Sequence, residues 1–441
     1  MNKEKLYVGS ELYLPYSSFN SDFIELSLTI FEGRKKTKLF RREKNHLVVP
    51  KYYLSDEELS DVECEVEYLP ELKFEQVEFT HSITLRPGQV EAWNHFSVAK
   101  CGILNLAPGK GKTVLSLLKI ANNKTPALIA VNTSSLLEQW KEFIEKFLGI
   151  TKVGQVANGV FDWKHPITIA TVQSLVSKVK REEIPEEFNN WFGQYYIDEM
   201  HHIGGAEFCL IAPLCKGQKF GLSATEKRTD GRERIIKYMI GDIIYSNKEY
   251  DLKPVIKIIH IDKCETKFVG HSESVISSLS LNKASNLEKA KWIKKLSLGR
   301  KCIAVSTRKE QLKEMSALFP NSVAITAEIP KERRLPLVRE KQISFIIDQF
   351  GTEALDCPEL DTLFMLLPIP ADKKEKADGT TELLGNNIQQ LMGRILRTCE
   401  GKQEPLVVIF DDINVSEAHS QIESLKRWME SNGYSYRIET S

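Results

Sequence analysis

Seven residues, Ala107-Pro108-Gly109-Lys110-Gly111-Lys112-Thr113, constrain this chain more than any others. They follow an apolar run, Gly102-Ile103-Leu104-Asn105-Leu106, that reads as a buried strand. They precede Val114-Leu115-Ser116-Leu117-Leu118-Lys119-Ile120, whose apolar spacing is helical. Strand, glycine loop and helix in that order are the context that a phosphate-binding loop requires. Glycines let the backbone curl so that successive N–H groups face one phosphate, and the helix N-terminus adds its positive end. Lys112 is expected to reach the β- and γ-phosphates as an exposed point charge, and Thr113 to offer its hydroxyl to Mg²⁺. The strict motif has Gly five residues before Gly111, where this chain has Leu106. A glycine turn with a solvated lysine is the plainer alternative.

Length divides into about three domains at ~150 residues each. Hydrophobic residues make up 42% and charged residues 27%, an ordinary globular balance. Formal net charge is zero, so any nucleic-acid contact has to come from local patches. The eight cysteines include no CxxC pair, which argues against zinc and against a disulfide framework. A reducing, cytoplasmic setting is therefore expected. No apolar run reaches membrane-spanning length, so no membrane partner is expected, and no signal-like core follows Met1-Asn2-Lys3-Glu4-Lys5.

Residues 1–80 read as a small β-rich module. Short apolar and β-branched runs such as Leu6–Val8, Phe23–Phe31 and Leu47–Val49 are separated by turn residues. Arg34, Lys35, Lys36, Lys38, Arg41, Arg42 and Lys44 are expected on one basic hairpin, with an acidic run from Asp56 to Glu67 behind it. Such a hairpin is a candidate phosphate-binding finger, with Lys35, Lys36 and Arg41 as its contacts. The alternative is a solvated face that neutralises its acidic neighbour. On the finger reading, a chain starting near Thr80 folds by itself.

Beyond residue 80, strands alternate with helices. Expected strands are Ala127–Val131, Ile167–Thr171, Gln194–Ile197 and Lys219–Leu222. Ser135-Leu136-Leu137-Glu138 is a capping-box pattern opening a helix over Leu136–Phe147. This alternation implies an α/β domain with a parallel sheet over 81–248, ending in a polar linker, Ser246–Asp251. A second such domain covers 249–441, with strands expected at Cys302–Ser306, Val323–Thr326, Ile343–Asp348, Thr362–Leu367 and Leu406–Phe410.

Asp198 and Glu199 end an apolar strand, where the ligand crevice of an open α/β sheet lies. Asp198 is the candidate Mg²⁺ holder, and Glu199 the candidate base for an attacking water. His201 is read as a linking residue in the site and His202 as structural. Gln89, in Leu85-Arg86-Pro87-Gly88-Gln89, has the donor and acceptor that adenine needs, although such a residue more often lies on a helix surface. Gln390, Arg394 and Arg397 fall at i, i+4 and i+7, on one face of an expected helix. Two arginines on one face suit a γ-phosphate clamp.

Together these segments resemble the superfamily 2 helicases of the DExH type. Ala107–Thr113 is similar to their AxxGxGKT loop, Asp198–His201 to their DExH box, and Gln390–Arg397 to their QxxGRxxR segment. Ser223-Ala224-Thr225 resembles their SAT motif, which couples ATP state to domain movement. Thr352–Pro358 resembles the segment that contacts nucleic acid through Thr352 and the ATP site through Asp356. Thr133, Thr171 and Gln173 lie in stretches similar to the strand-contacting loops. Ala354 stands where Gly is common, and Glu226 where Pro usually follows SAT. The resemblance implies two tandem RecA-like parallel-sheet domains behind a β-rich N-terminal DNA-binding domain. It implies ATP and Mg²⁺ as cofactors, and nucleotide contacts from Arg86, Gln89 and the loop Ala107–Thr113.

LRPGQVEAW at Leu85–Trp93 and LSATEKRTDG at Leu222–Gly231 are most similar to bacteriophage branch-migration DNA helicases and excision-repair DNA helicases. The compact size, with no appended nuclease motif, fits a phage enzyme working in the cytoplasm of an infected host. The expected activity is ATP-driven unwinding or branch migration of DNA in recombination, repair or replication. Forked or branched DNA is the expected partner, with replication or recombination proteins beside it. An RNA helicase, a duplex translocase that separates no strands, and a nucleotide-gated binding protein are the alternatives.

Overall fold

The computed structural model describes residues 5–32, 35–200, 203, 205–223, 233–247, 249–250, 252–264, 272–348, 355, 357–369, 372–375, 381–384 and 386–440. The chain divides into two compact units, Met1–Lys248 and Glu249–Ser441.

The first unit holds a small module and a large sheet. Module strands are β1 (Lys5–Val8), β2 (Glu11–Pro15), β3 (Thr29–Glu32), β4 (Lys35–Lys38), β5 (Arg41–Arg42), β6 (His46–Pro50) and β7 (Glu65–Tyr68). Five form a sheet in the order β5-β6-β2-β1-β7, while β3 and β4 pair separately as an antiparallel hairpin. The basic residues are therefore not on one hairpin. Lys36 and Lys38 belong to the β3–β4 ribbon, whereas Arg41 and Arg42 pair with Val48 and Leu47 of the other sheet.

The large sheet contains β8 (Gly102–Leu106), β9 (Ala127–Val131), β10 (Gly154–Ala157), β11 (Val160–Asp162), β12 (Ile167–Thr171), β13 (Gln194–Ile197), β14 (Gln218–Ser223) and β15 (Ile243–Asn247). Their order is β11-β10-β12-β9-β13-β14-β8-β15, and only β11 runs antiparallel to its neighbour. Every residue of β8, β9, β12 and β13 is buried. Helices cover both faces of a parallel sheet, so its strands read as continuous apolar runs.

Successive side chains feed opposite cores. Leu104, Leu106, Ile129, Val131 and Tyr196 pack with the helices Lys112–Asn123 and Ser134–Leu148. Ile103, Leu128, Ala130, Tyr195 and Ile197 join a second core that continues into the N-terminal module. In that core Leu6, Leu12, Leu14 and Leu47 share one cluster with Phe208, Cys209, Ile211 and Met239. The Tyr52 N–H donates to the Tyr238 carbonyl at 3.1 Å. The module thus shares the first unit's core, which argues against a chain starting near Thr80 folding by itself.

Two local expectations are also corrected. Ser246 and Asn247, read as linker, close β15 and pair with Asn105 and Leu106. The helix read from Leu136 begins at Ser134, capped by Thr133, whose Oγ1 accepts the Leu136 N–H at 3.3 Å. Thr133 takes the cap because its extended backbone aims the hydroxyl back at the first turn.

Among the described residues, the second unit holds a sheet of seven strands that all run parallel. Its strands are β16 (Val255–Ile261), β17 (Cys302–Ser306), β18 (Ser322–Ile325), β19 (Ile343–Ile347), β20 (Thr362–Met365), β23 (Leu406–Asp412) and β24 (Tyr436–Thr440), with a separate ribbon of β21 (Asp372–Glu375) and β22 (Thr381–Leu384). The order is β18-β19-β17-β20-β23-β16-β24. Its core includes a fully buried Lys289–Asp412 ion pair at 2.7 Å, with the Ser285 hydroxyl also donating to Asp412.

Candidate active site

The phosphate loop leaves the C-terminal end of β8 and enters the helix Lys112–Asn123. Gly109 and Gly111 have φ of 82° and 91°, the left-handed region that glycine tolerates at no steric cost. Gly111 has a second reason to be glycine, since a Cβ there would lie 1.9 Å from Gln89 Nε2. That amide braces the loop. Gln89 Nε2 donates to the Lys110 carbonyl at 3.3 Å, and Gln89 Oε1 accepts the Arg86 N–H at 3.0 Å. Gln89 is buried rather than on a helix surface, whereas Arg86 is exposed.

Lys112 is only 8% exposed, which corrects its reading as an exposed charge. Its ammonium donates to the Leu106 carbonyl at 3.1 Å and lies 3.4 Å from Glu199 Oε1. Glu199 follows β13 with φ of 45°, a conformation that long side chains rarely adopt. Its carbonyl accepts from Asn132 Nδ2 at 3.1 Å, and the Asn132 carbonyl accepts from Gln173 Nε2 at 3.1 Å. A continuous chain of hydrogen bonds thus links exposed Gln173 to the acidic pair.

Asp198 is buried beside them. One oxygen accepts the Glu199 N–H at 3.0 Å, the other the indole N–H of Trp140 at 2.8 Å. Burial, and next the Glu199 charge, push the Asp198 carboxyl up to about 6 against the opposing pull of Lys112, the indole and the backbone N–H. A cation beside it would favour its charged form. Thr113, half-buried in the first helical turn of the phosphate loop, offers a hydroxyl. A hydroxyl and a carboxylate are hard oxygen donors of the kind Mg²⁺ takes alongside phosphate oxygens, so the donor set fits. Among the described residues no cluster of His, Cys, Asp and Glu forms a separate metal site.

Ser223 closes β14 and is buried; Ala224, Thr225 and Glu226 lie outside the described residues, as do His201 and His202. The Thr171 hydroxyl donates to Ser174 at 2.8 Å. Sequence reasoning missed Trp140 and Asn132 as partners of the acidic pair. Their only signal was position, on the segment after β9, and β9 adjoins β13 in the sheet.

In the second unit, the helix Asn386–Ile395 carries Gln390, which is buried, and Arg394, whose Nη1 donates to the Leu355 carbonyl at 3.3 Å. Arg397 lies beyond the helix end, so the expected shared face does not extend to it. Beyond the helix, Lys402 donates to the carbonyls of Arg397 at 2.6 Å and Pro358 at 2.9 Å. Thr352, Ala354 and Asp356 lie outside the described residues.

In the module, Arg41 Nη1 donates to both oxygens of Glu11 at 2.6 and 2.7 Å, and Arg42 Nε donates to Glu25 at 2.6 Å. Their charges are matched locally, which weakens Arg41 as a free phosphate contact. Exposed Lys36 lies 5.4 Å from the centre of the Phe31 ring; the side chain of Lys35 lies outside the described residues. No described helix is long and apolar enough to cross a membrane.

Residues 82–228 match the family described as the res subunit of type III restriction enzymes. A provisionally named ATP-dependent RNA helicase of Acanthamoeba polyphaga mimivirus, L396, is 24% identical over 420 residues, covering 90% of this chain and 76% of that protein. The DNA 3′-5′ translocase XPB2 of Sulfurisphaera tokodaii is 31% identical over 205 residues, 46% of this chain and 44% of the relative. The chain thus spans from under half to about three quarters of the length of these relatives. The Mycobacterium smegmatis helicase Lhr, solved with single-stranded DNA and AMP-PNP, shares the fold with a TM-score of 0.56 at 12% identity, over 80% of this chain and 49% of that one.

Proposed function

We propose that the chain is a superfamily 2 helicase, an ATP-driven DNA helicase or translocase. The observation that carries this reading is the convergence of Lys112, Asp198 and Glu199, with Lys112 Nζ 3.4 Å from Glu199 Oε1. Phosphate-loop cation, metal-binding acid and candidate base stand together at the C-terminal end of one parallel sheet.

In this reading Lys112 exchanges the Leu106 carbonyl and Glu199 for the β- and γ-phosphates of ATP. The N–H groups of Pro108–Thr113, proline excepted, line the phosphates. Thr113 and Asp198 would hold Mg²⁺, whose charge would offset that of the phosphates. Glu199, released from Lys112, orients and deprotonates the attacking water. Gln89 reads adenine by exchanging one of its two internal bonds, and Arg86 contributes beside it. From the second unit, Arg394 and Arg397 stabilise charge on the transferring phosphoryl group in this reading, with Gln390 on the same segment and Asp356 as a further nucleotide contact. Ser223, Ala224 and Thr225 transmit loss of the γ-phosphate. Thr133, Thr171 and Gln173 grip the nucleic-acid backbone; Thr352, Lys35 and Lys36 are further contacts in this reading, as is Arg41 once released from Glu11. Backbone contacts of this kind make tracking largely independent of sequence.

DNA is favoured by the relative named as a DNA translocase, which shares 31% identity over 205 residues. An RNA substrate is the second reading, supported by the mimivirus relative named as an RNA helicase, whose match covers 90% of this chain. Branch migration in recombination or repair, in a bacteriophage-infected host cytoplasm, is the finer form of the proposal. Exchange of one duplex for another nearly balances, since ~1.4 kcal/mol of stacking per step is lost on one side and regained on the other. The test is ATP hydrolysis against matched DNA and RNA polymers, followed by a four-way junction beside a tailed duplex. Stimulation by DNA and movement of the junction are expected. Stimulation by RNA alone overturns the DNA reading.

A further inference from the structure

The sequence groups Lys38 with its basic neighbours on one finger. The structure places it elsewhere, on the wall of a cavity of about 210 Å³ inside the first unit. The charged lining is Lys38, Arg41, Lys51, Lys219 and a single acid, Glu11. Arg41 already neutralises Glu11 through two hydrogen bonds from one nitrogen. The three lysines remain. Lys38 and Lys51 lie over the rings of Phe40 and Tyr52, at 5.5 and 5.7 Å. Among the described residues none of the three has a hydrogen bond or ion pair to an acid.

Lys219 is the unusual one. It stands near the start of β14, four residues or about 13 Å along the strand before Ser223, so it lies at the sheet end opposite the phosphate loop. Its ammonium is half-buried, and that burial pulls its pKa below the usual lysine value. Lysines are seldom buried without a partner, because desolvating the charge is unfavourable. Helical and strand packing does not require an amine here: the neighbouring floor is Leu39, Cys209 and Met239. Cys215 and Glu11 act on Lys219 only electrostatically, against Lys51, and Glu11 is engaged by Arg41, so an anion in the cavity would add the counter-charge that no bonded acid provides.

Size narrows the anion. Sites for drug-sized ligands occupy about 300–1,000 Å³, so this cavity is too small for a whole nucleotide. We propose that the cavity formed by Lys38, Lys51 and Lys219, at the junction of the N-terminal module and the large sheet, is a phosphate site. It takes either one phosphate of a nucleic-acid backbone or a free phosphate ion. Exposed Lys38 and Lys51 capture the anion from the rim, and Lys219 receives it from below.

The test uses the full chain with Lys112→Ala as background, so that phosphate does not report on the nucleotide loop. Lys219→Met keeps the length and removes the charge; Lys38→Gln with Lys51→Gln changes only exposed positions and guards against misfolding. The first arm measures melting temperature in sodium phosphate against sodium chloride at equal ionic strength. A phosphate-specific rise of a few degrees is expected, lost in either variant. The second arm measures duplex DNA affinity against salt. A backbone phosphate in the cavity makes the slope shallower by about 0.9 in the variants. Loss of the phosphate-specific rise with an unchanged slope assigns the site to free phosphate. Unchanged behaviour of the variants in both arms overturns the proposal. The second arm rests on the DNA reading and the first does not, so absence of DNA binding leaves the first arm to decide the site.

Discussion

The indole N–H of Trp140 donates to Asp198 Oδ2 at 2.8 Å, across 58 residues of sequence. Trp140 is 1% exposed and lies on the helix that packs against β9 and β12. A buried donor to a buried carboxylate fixes the direction of the carboxylate's remaining lone pairs. Trp140 is therefore a positioning residue for the acid that faces the phosphate loop.

Trp140→Phe keeps the ring and removes the donor. A hydrogen bond to a charged group is worth about 1.5–3 kcal/mol. We expect turnover to fall roughly tenfold or more, with KM for ATP changed far less. Steady-state kinetics checks this; a fall in affinity with turnover intact would show that the indole only packs.

Asp198 also sets a pH dependence of stability. Its folded carboxyl lies at about 6, above the ordinary ~3.9 of an unfolded aspartate. A raised acid favours folding below the unfolded value and loses that contribution as pH rises through the folded one. Between about pH 4 and 6 the wild type therefore loses stability that Asp198→Asn does not lose, at most about 3 kcal/mol. Melting temperatures of both proteins, without nucleotide, should diverge in the mutant's favour across that window and run parallel above it. A constant difference would contradict the assignment.

Lys112→Ala should abolish ATP hydrolysis. Because Lys112 is buried, the fold is not indifferent to it. The Leu106 carbonyl loses a donor, a cost of about 1 kcal/mol, while a desolvated charge disappears. The two effects oppose each other, and the melting temperature should move by only a few degrees. Near-normal turnover in the mutant would remove the phosphate-loop reading.

Arg394→Ala and Arg397→Ala should each bind ATP but hydrolyse it poorly. Arginines that stabilise a transferring phosphoryl group are worth about 10³–10⁵ in rate. Nucleotide binding measured by fluorescence, beside single-turnover hydrolysis, separates the two steps. Equal losses in both would place the arginines in ground-state binding.

Removal of residues 1–79 should destabilise the first unit. It strips Leu6, Leu12, Leu14 and Leu47 from the core that holds Phe208, Ile211 and Met239. It also removes the strap in which the Val77 N–H donates to the Lys124 carbonyl at 2.8 Å. Exposed apolar surface of this extent leads to aggregation or a melting temperature lower by ten degrees or more. Light scattering and calorimetry test this, and a monomeric fragment with the parent's melting temperature would restore the module as an independent finger.

The sequence by itself determined the parallel α/β architecture. A strand covered on both faces has to be apolar throughout, so Ala127–Val131 and Cys302–Ser306 are visible as unbroken runs with matching bounds. The glycine loop between β8 and its helix was equally legible, because positive φ is encoded residue by residue. β15 was not, since Ser246 and Asn247 end a half-exposed edge strand that lacks such a run. Nor was the end of the helix before Arg397, where no glycine or proline marks a stop. Only tertiary structure set the indole of Trp140 on Asp198, matched Arg41 to Glu11, and gathered Lys38, Lys51 and Lys219 around one cavity. Local patterns specify backbone conformation and burial, whereas the partner of a charged or polar side chain follows from strand order and module docking, which bring distant segments within hydrogen-bond reach.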